Sequence, residues 1–170
     1  ITGLKMIDLF EQIIQSNQSE GKPSQFKARI QEPNDPEFYY RQTVEGFKYG
    51  SLGIYEHEGL WYGIHVRSGR SLGIPLASAD DARRLVFLVK GLAKWSKVDW
   101  KDDRAFEGDE LYWLCTAASE YCNDLESDYG PLMAALSIQE GFAGAGGEMV
   151  IPSEPLELEP EVVEFGVAFT

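Results

Sequence analysis

The chain has 170 residues, 44% of them apolar, 12% aromatic and 25% charged, with a net charge of −13. That composition excludes wholesale disorder, and no apolar run approaches the roughly 20 residues a membrane-spanning helix needs. The charge is lopsided: residues 1–104 hold all 15 Lys and Arg against 14 acids, while residues 105–170 hold 14 acids and no Lys, Arg or His. An acidic half of this kind repels nucleic acid and anionic membrane and attracts basic surfaces.

In chain order, Leu4, Ile7, Phe10, Ile13 and Ile14 repeat at the spacing of an amphipathic helix over residues 4–16. A loop is expected over 17–24, then a short strand at 25–31 in which Phe26, Ala28 and Ile30 alternate with polar neighbours. Two prolines interrupt at 32–37, and the aromatic, β-branched stretch 38–50 reads as extended. Ser51–His57 and Leu60–Val66 flank Glu58-Gly59, which predicts a hairpin with His57 opposite Leu60 and Tyr55 opposite Tyr62. A turn at Arg67–Arg70 then leads to a third short strand around Ser71–Ile74, completing a meander around residues 51–74.

Ser78 followed by Asp80 and Asp81 marks a helix N-terminus, and Leu85, Leu88, Val89, Leu92 and Trp95 form its apolar stripe. The stripe ends in a turn rich in lysine (Lys90, Lys94, Lys97), which suits the C-terminal end of the helix dipole. Asp109 is placed to cap a third helix that runs to about Leu125, with Leu111, Leu114, Cys115, Ala118, Cys122 and Leu125 inward. Pro131 starts a fourth over 131–139. The expected fold is therefore α+β: a small antiparallel sheet packed by three or four helices. Residues 1–143 are read as one domain, and 144–170 as an acidic segment rich in Gly, Pro and Glu. In that segment Val163, Phe165, Val167 and Phe169 alternate, as in a returning strand or a tail that orders on a partner.

Cys115 and Cys122, the only cysteines, lie seven apart on one helix, about 10 Å along its axis, too far to bridge. They read as buried thiols in a reducing, cytoplasmic protein. The region offers no histidine and no CxxC pair for zinc, and no GxSxG, HExxH or Walker A pattern occurs. No cofactor or metal is expected.

The chemistry-bearing candidates fall in two groups. Glu107, Asp109, Glu110, Glu120, Asp124, Glu126 and Asp128, with Glu157, Glu159, Glu161 and Glu164 of the tail, form an acidic surface. Carboxylates at i, i+4 on a helix recur about every 6 Å, close to the roughly 7 Å phosphate spacing along one DNA strand. They point to a non-enzymatic inhibitor or modulator that occupies the basic nucleic-acid-binding surface of a partner protein. It would be a nucleic-acid mimic, analogous in charge to phage- or plasmid-encoded anti-defence inhibitors. Direct nucleic-acid or membrane binding is not expected. The second group is His65 and His57 on the aromatic hairpin with Arg67 and Arg70, a candidate anion site. These would serve a small enzyme or ligand-binding domain. A third reading is an accessory subunit docked through its tail.

Overall fold

The computed structural model describes residues 3–32, 34–101, 106 and 108–144. The side chains of Leu4 and Ile7, residue Glu107 and the whole 145–170 segment with its alternating anchors lie outside the described residues.

Alternation and turn chemistry build the sheet. Strands β1 (Lys22–Glu32), β2 (Asp35–Tyr49), β3 (Leu52–His57) and β4 (Leu60–His65) pair antiparallel in the order β1-β2-β3-β4. Glu58 and Gly59 both take positive φ (52° and 83°), as a two-residue hairpin turn requires. The resulting register sets His57 opposite Leu60 and Tyr55 opposite Tyr62, as the sequence implies. β1 and β2 are both longer than expected, and β1 begins inside the anticipated loop. β2 pairs with β3 only over Gly46–Tyr49, so the β1–β2 hairpin continues past the sheet as an arm. The sheet curls enough that the turn after β4 meets β1: the Arg29 amide donates to the Gly69 carbonyl at 2.9 Å.

Both faces of the β3–β4 hairpin are buried. One joins Phe26, Ala28, Ile30, Val44, Tyr55 and Ile64 in a core inside the curl. The other lies under α2 (Ala79–Val89), with the Leu85 and Leu72 side chains packed closely over Gly63. The anticipated third meander strand is replaced by two isolated bridges, Ile64↔Ser71 and Trp61↔Leu76. Four residues of β4 (61–64) therefore face six of the returning chain (71–76). The excess is taken up at Gly73, whose φ of +98° and close approach to the backbone of Cys115 and Thr116 suit only glycine.

The remaining helices are α1 (Gly3–Ser16), α3 (Glu110–Cys122) and α4 (Gly130–Gly144). α1 buries Phe10, Ile13 and Ile14, and α2 packs on α1, α3, β3 and β4. Ser78 caps α2 by accepting from the Asp81 amide. α2 stops at Val89, short of the apolar stripe, because the Trp95 indole donates to the Val89 carbonyl at 3.0 Å. The chain there folds into two short 3-10 turns, Lys90–Leu92 and Trp95–Lys97, split by extended Ala93. α4 runs on through the glycines at 141 and 144, beyond its expected end. It crosses Met133, where the first compact unit ends; of the second unit only Ala134–Gly144 is described. The architecture is thus α+β, a four-stranded antiparallel sheet with four α-helices among the described residues. None of those helices is long and apolar enough to cross a membrane.

Candidate acidic-aromatic face

α3 is anchored at both ends and along one side. At its start one Asp109 oxygen accepts from the Leu111 amide at 2.9 Å, and the other accepts from the Trp100 indole at 2.7 Å. Cys115, Ala118, Ser119 and Cys122 form its buried side. Burial pushes both thiols up from the usual cysteine range, and both are free, as their spacing implies. Ser119 links the helix to the returning chain by accepting from the Ile74 amide.

The opposite face carries Glu110, Trp113, Ala117 and Glu120, at spacings of three, four and three that keep them in line on a helix. Trp113 is 61% exposed, the most exposed large apolar side chain described. The sequence holds the signal for it: position 113 falls outside the inward stripe of Leu111, Leu114, Cys115 and Ala118.

The acidic row does not continue as helix. α3 ends at Cys122, Asn123 donates from its side chain to the Pro75 carbonyl, and Asp124 takes a left-handed conformation with φ 60°. Asp124, Glu126 and Asp128 therefore sit exposed on a loop, and Leu125, expected inward, is exposed as well. A helical i, i+4 spacing of carboxylates beyond Glu120 is thus lost. Asp109 is also withdrawn from the surface by its two internal hydrogen bonds. Glu120 accepts from the Ser127 hydroxyl, and Asp128 from the Gly130 amide. Among the described residues, Glu110, Glu120, Asp124, Glu126 and Asp128 make no ion pair. No described group of three or more His, Cys, Asp or Glu could hold a metal ion.

The hairpin candidates are built into the fold. His65 is fully buried between Trp95 and Trp100, ring centroids 5.7 and 5.5 Å away. Its Nε2 lies 2.9 Å from the Trp95 carbonyl, so that nitrogen carries the proton, and Nδ1 accepts from Ser68 at 2.8 Å. Burial, reinforced by the Arg67 charge, lowers its pKa and keeps it neutral. Arg67 donates to the Ser96 carbonyl, and Arg70 to the Trp100 carbonyl while stacking over Phe106. Through these bonds the two guanidiniums clamp the segment after α2. His57, at the hairpin tip, faces Glu58 at 3.6 Å.

The sequence gives no local cue to one further cluster, because its members lie on three different helices. Arg84 of α2 holds Glu11 of α1 through two hydrogen bonds of 2.8 and 2.9 Å, and Tyr121 of α3 donates to the same carboxylate. The Arg84 hydrogen bonds hold the Glu11 carboxyl below its usual range. Its contribution to stability is therefore present above the unfolded value of about 4.3 and is lost as pH falls below it. Arg84→Met should cost about 1 kcal/mol at pH 7 in urea unfolding, since the pair is bidentate but partly exposed. That cost should shrink at pH 3.

No known protein family, curated protein or solved structure matches this chain.

Proposed function

We propose that the chain is a non-enzymatic binding protein whose α3 face and following loop occupy a basic surface on another protein, one that normally holds nucleic acid. The observation that carries this reading is Trp113, exposed in line with Glu110 and Glu120 and followed by the exposed Asp124, Glu126 and Asp128. An aromatic ring among carboxylates that make no ion pair with the described residues suits Arg and Lys: the ring face attracts the cation and the acids steer it in. The mimicry is of phosphate charge rather than phosphate spacing, because only Glu110 and Glu120 of these acids stand on a helix. Two buried free thiols fit a reducing cytoplasm. The internal hydrogen bonds of His65, Arg67 and Arg70 weigh against the alternative of a small enzyme or ligand-binding domain built on these residues and His57.

The test uses the immobilised chain and extract of its native cell. A basic nucleic-acid-binding protein should be retained, released by salt and displaced by duplex DNA. With that protein purified, Trp113→Ala should weaken affinity by about 2 kcal/mol, roughly thirtyfold, mostly through faster dissociation. Reversing Glu120, Asp124 and Asp128 to Lys should instead slow association and flatten its salt dependence. Retention indifferent to salt, or a partner that binds DNA and this chain together, would overturn the proposal.

A further inference from the structure

The outer face of the β1–β2 arm gathers cations that lie apart in sequence. Facing residues of an antiparallel ladder share a side, so Lys27, Arg29, Arg41 and Thr43 stand together, opposite the buried Phe26, Ala28 and Val44. They occupy two rungs, Lys27↔Thr43 and Arg29↔Arg41, about 7 Å apart. The Arg29 amide goes to Gly69, so Arg29↔Arg41 is a non-hydrogen-bonded pair, the closer kind, with α-carbons about 4.5 Å apart. Like charges directly opposite destabilise a ladder, a cost that carboxylates brought to this rung offset. Arg29 lies over the Tyr39 ring, 3.5 Å from its centroid. Lys27 and Arg41 are exposed, and neither makes an ion pair among the described residues. Glu45, beyond Thr43 on the same side, accepts from the Gln25 side chain and borders the patch.

We propose that this face receives the α3 face of a second copy, helix against sheet. Charge complementarity names the occupant, because one chain carries both halves: Lys27, Arg29 and Arg41 on the arm, and Trp113 with Glu110 and Glu120 on α3. Arg41 is the seat for the Trp113 ring. Arg29 already lies on Tyr39, whereas Arg41 lies over no ring among the described residues, and a guanidinium stacks well on indole. Glu110 and Glu120, about 4.5 and 10 Å from Trp113 along the helix, bring carboxylates to either side of that contact. Two different patches meet, so the contact is heterologous: every pair leaves one arm and one α3 face open, and growth continues past the dimer. The net charge of −13 opposes close approach, so the association is weak and rises with concentration. It uses the cation-binding face proposed above and rests on that reading. Associated copies cover one another's Trp113 until a basic partner displaces the arm.

Sedimentation of the full chain over a range of concentrations reads the association with no other protein present. The wild type should grow past the dimer without a plateau. An arm variant (Lys27→Glu with Arg41→Glu) and a face variant (Trp113→Ala with Glu120→Lys) should each associate at least roughly tenfold more weakly. Mixed in equal amounts, the two should form a dimer and nothing larger, since each pair holds one intact arm and one intact α3 face. Arg41→Glu sets an acid opposite Arg29, so it should unfold in urea no more easily than the wild type, which separates lost association from lost folding. A wild type that stays monomeric at its solubility limit would overturn the proposal. So would growth that stops at a dimer, arm substitutions without effect, or a mixture that stays monomeric. Retention of the basic partner decides the other reading separately: a monomeric wild type that loses this partner on Trp113→Ala sinks the self-association alone.

Discussion

Replacing Trp100 by alanine should lower the unfolding free energy by about 3–5 kcal/mol, the range for deleting a fully buried large aromatic. Trp100 has no exposed surface and sits edge-on to His65, Trp95 and Phe106, with Tyr112 beside it. Its indole also donates to the carboxylate that caps α3. The loss should thus have two parts, a cavity and a half-unpaired cap. Trp100→Phe keeps most of the volume and loses only the hydrogen bond, so it should cost markedly less than the alanine variant. Urea unfolding of the three proteins, followed by circular dichroism, checks the order. Equal losses for Phe and Ala would mean that the hydrogen bond, not the packing, holds the cluster.

Stability should also fall on mild acidification, and His65 is the cause. Burial lowers its folded pKa below the unfolded value of about 6.5. Above that value neither state binds the proton and stability is flat with respect to this group. As pH falls below about 6.5 the unfolded chain takes the proton and the native chain does not, so unfolding is favoured. The decline ends once pH passes below the folded pKa. His65→Leu should abolish the slope in this window. It should also cost about 2–4 kcal/mol at pH 7.5, because the Ser68 hydroxyl and the Trp95 carbonyl lose their buried partner. The check is the difference between the unfolding free energies of the two proteins from pH 7.5 to 5. Its window opens about two pH units above that of Glu11, so a loss between pH 6.5 and 5 belongs to His65. A difference that does not change with pH would show that His65 is not held neutral.

Local chemistry carried much of the fold. The Glu58-Gly59 turn and period-two alternation specified the β3–β4 register, and Ser78 and Asp109 marked the starts of α2 and α3. What local pattern missed was settled at a distance. Leu92 and Trp95 continue a helical stripe perfectly well, yet the Trp95 indole has a better use on the Val89 carbonyl. Leu125 keeps helical phase with Cys122, and no Gly or Pro intervenes. It is the hold of Asn123 on Pro75, about fifty residues back in the chain, that accompanies the break. The same division runs through the site. Trp113 was readable as an outward residue from spacing alone. The descent of Asp124, Glu126 and Asp128 onto a loop was not, nor was the commitment of Arg67 and Arg70 to carbonyls some thirty positions further on.

The bond from Arg29 to Gly69 has a consequence for synthesis. A ribosome delivers the chain from its N-terminus, and the forty residues between these two positions take about 2–8 s to add at 5–20 residues per second. Through that interval a nascent β1–β2 hairpin has neither its second edge covered nor its apolar face sheltered by β4. Lys22 and Lys27, exposed on β1, keep charge on the strand that waits. The curl that closes this sheet is thus the last part of it the growing chain can make, and until then an aggregation-prone ribbon is guarded chiefly by its lysines.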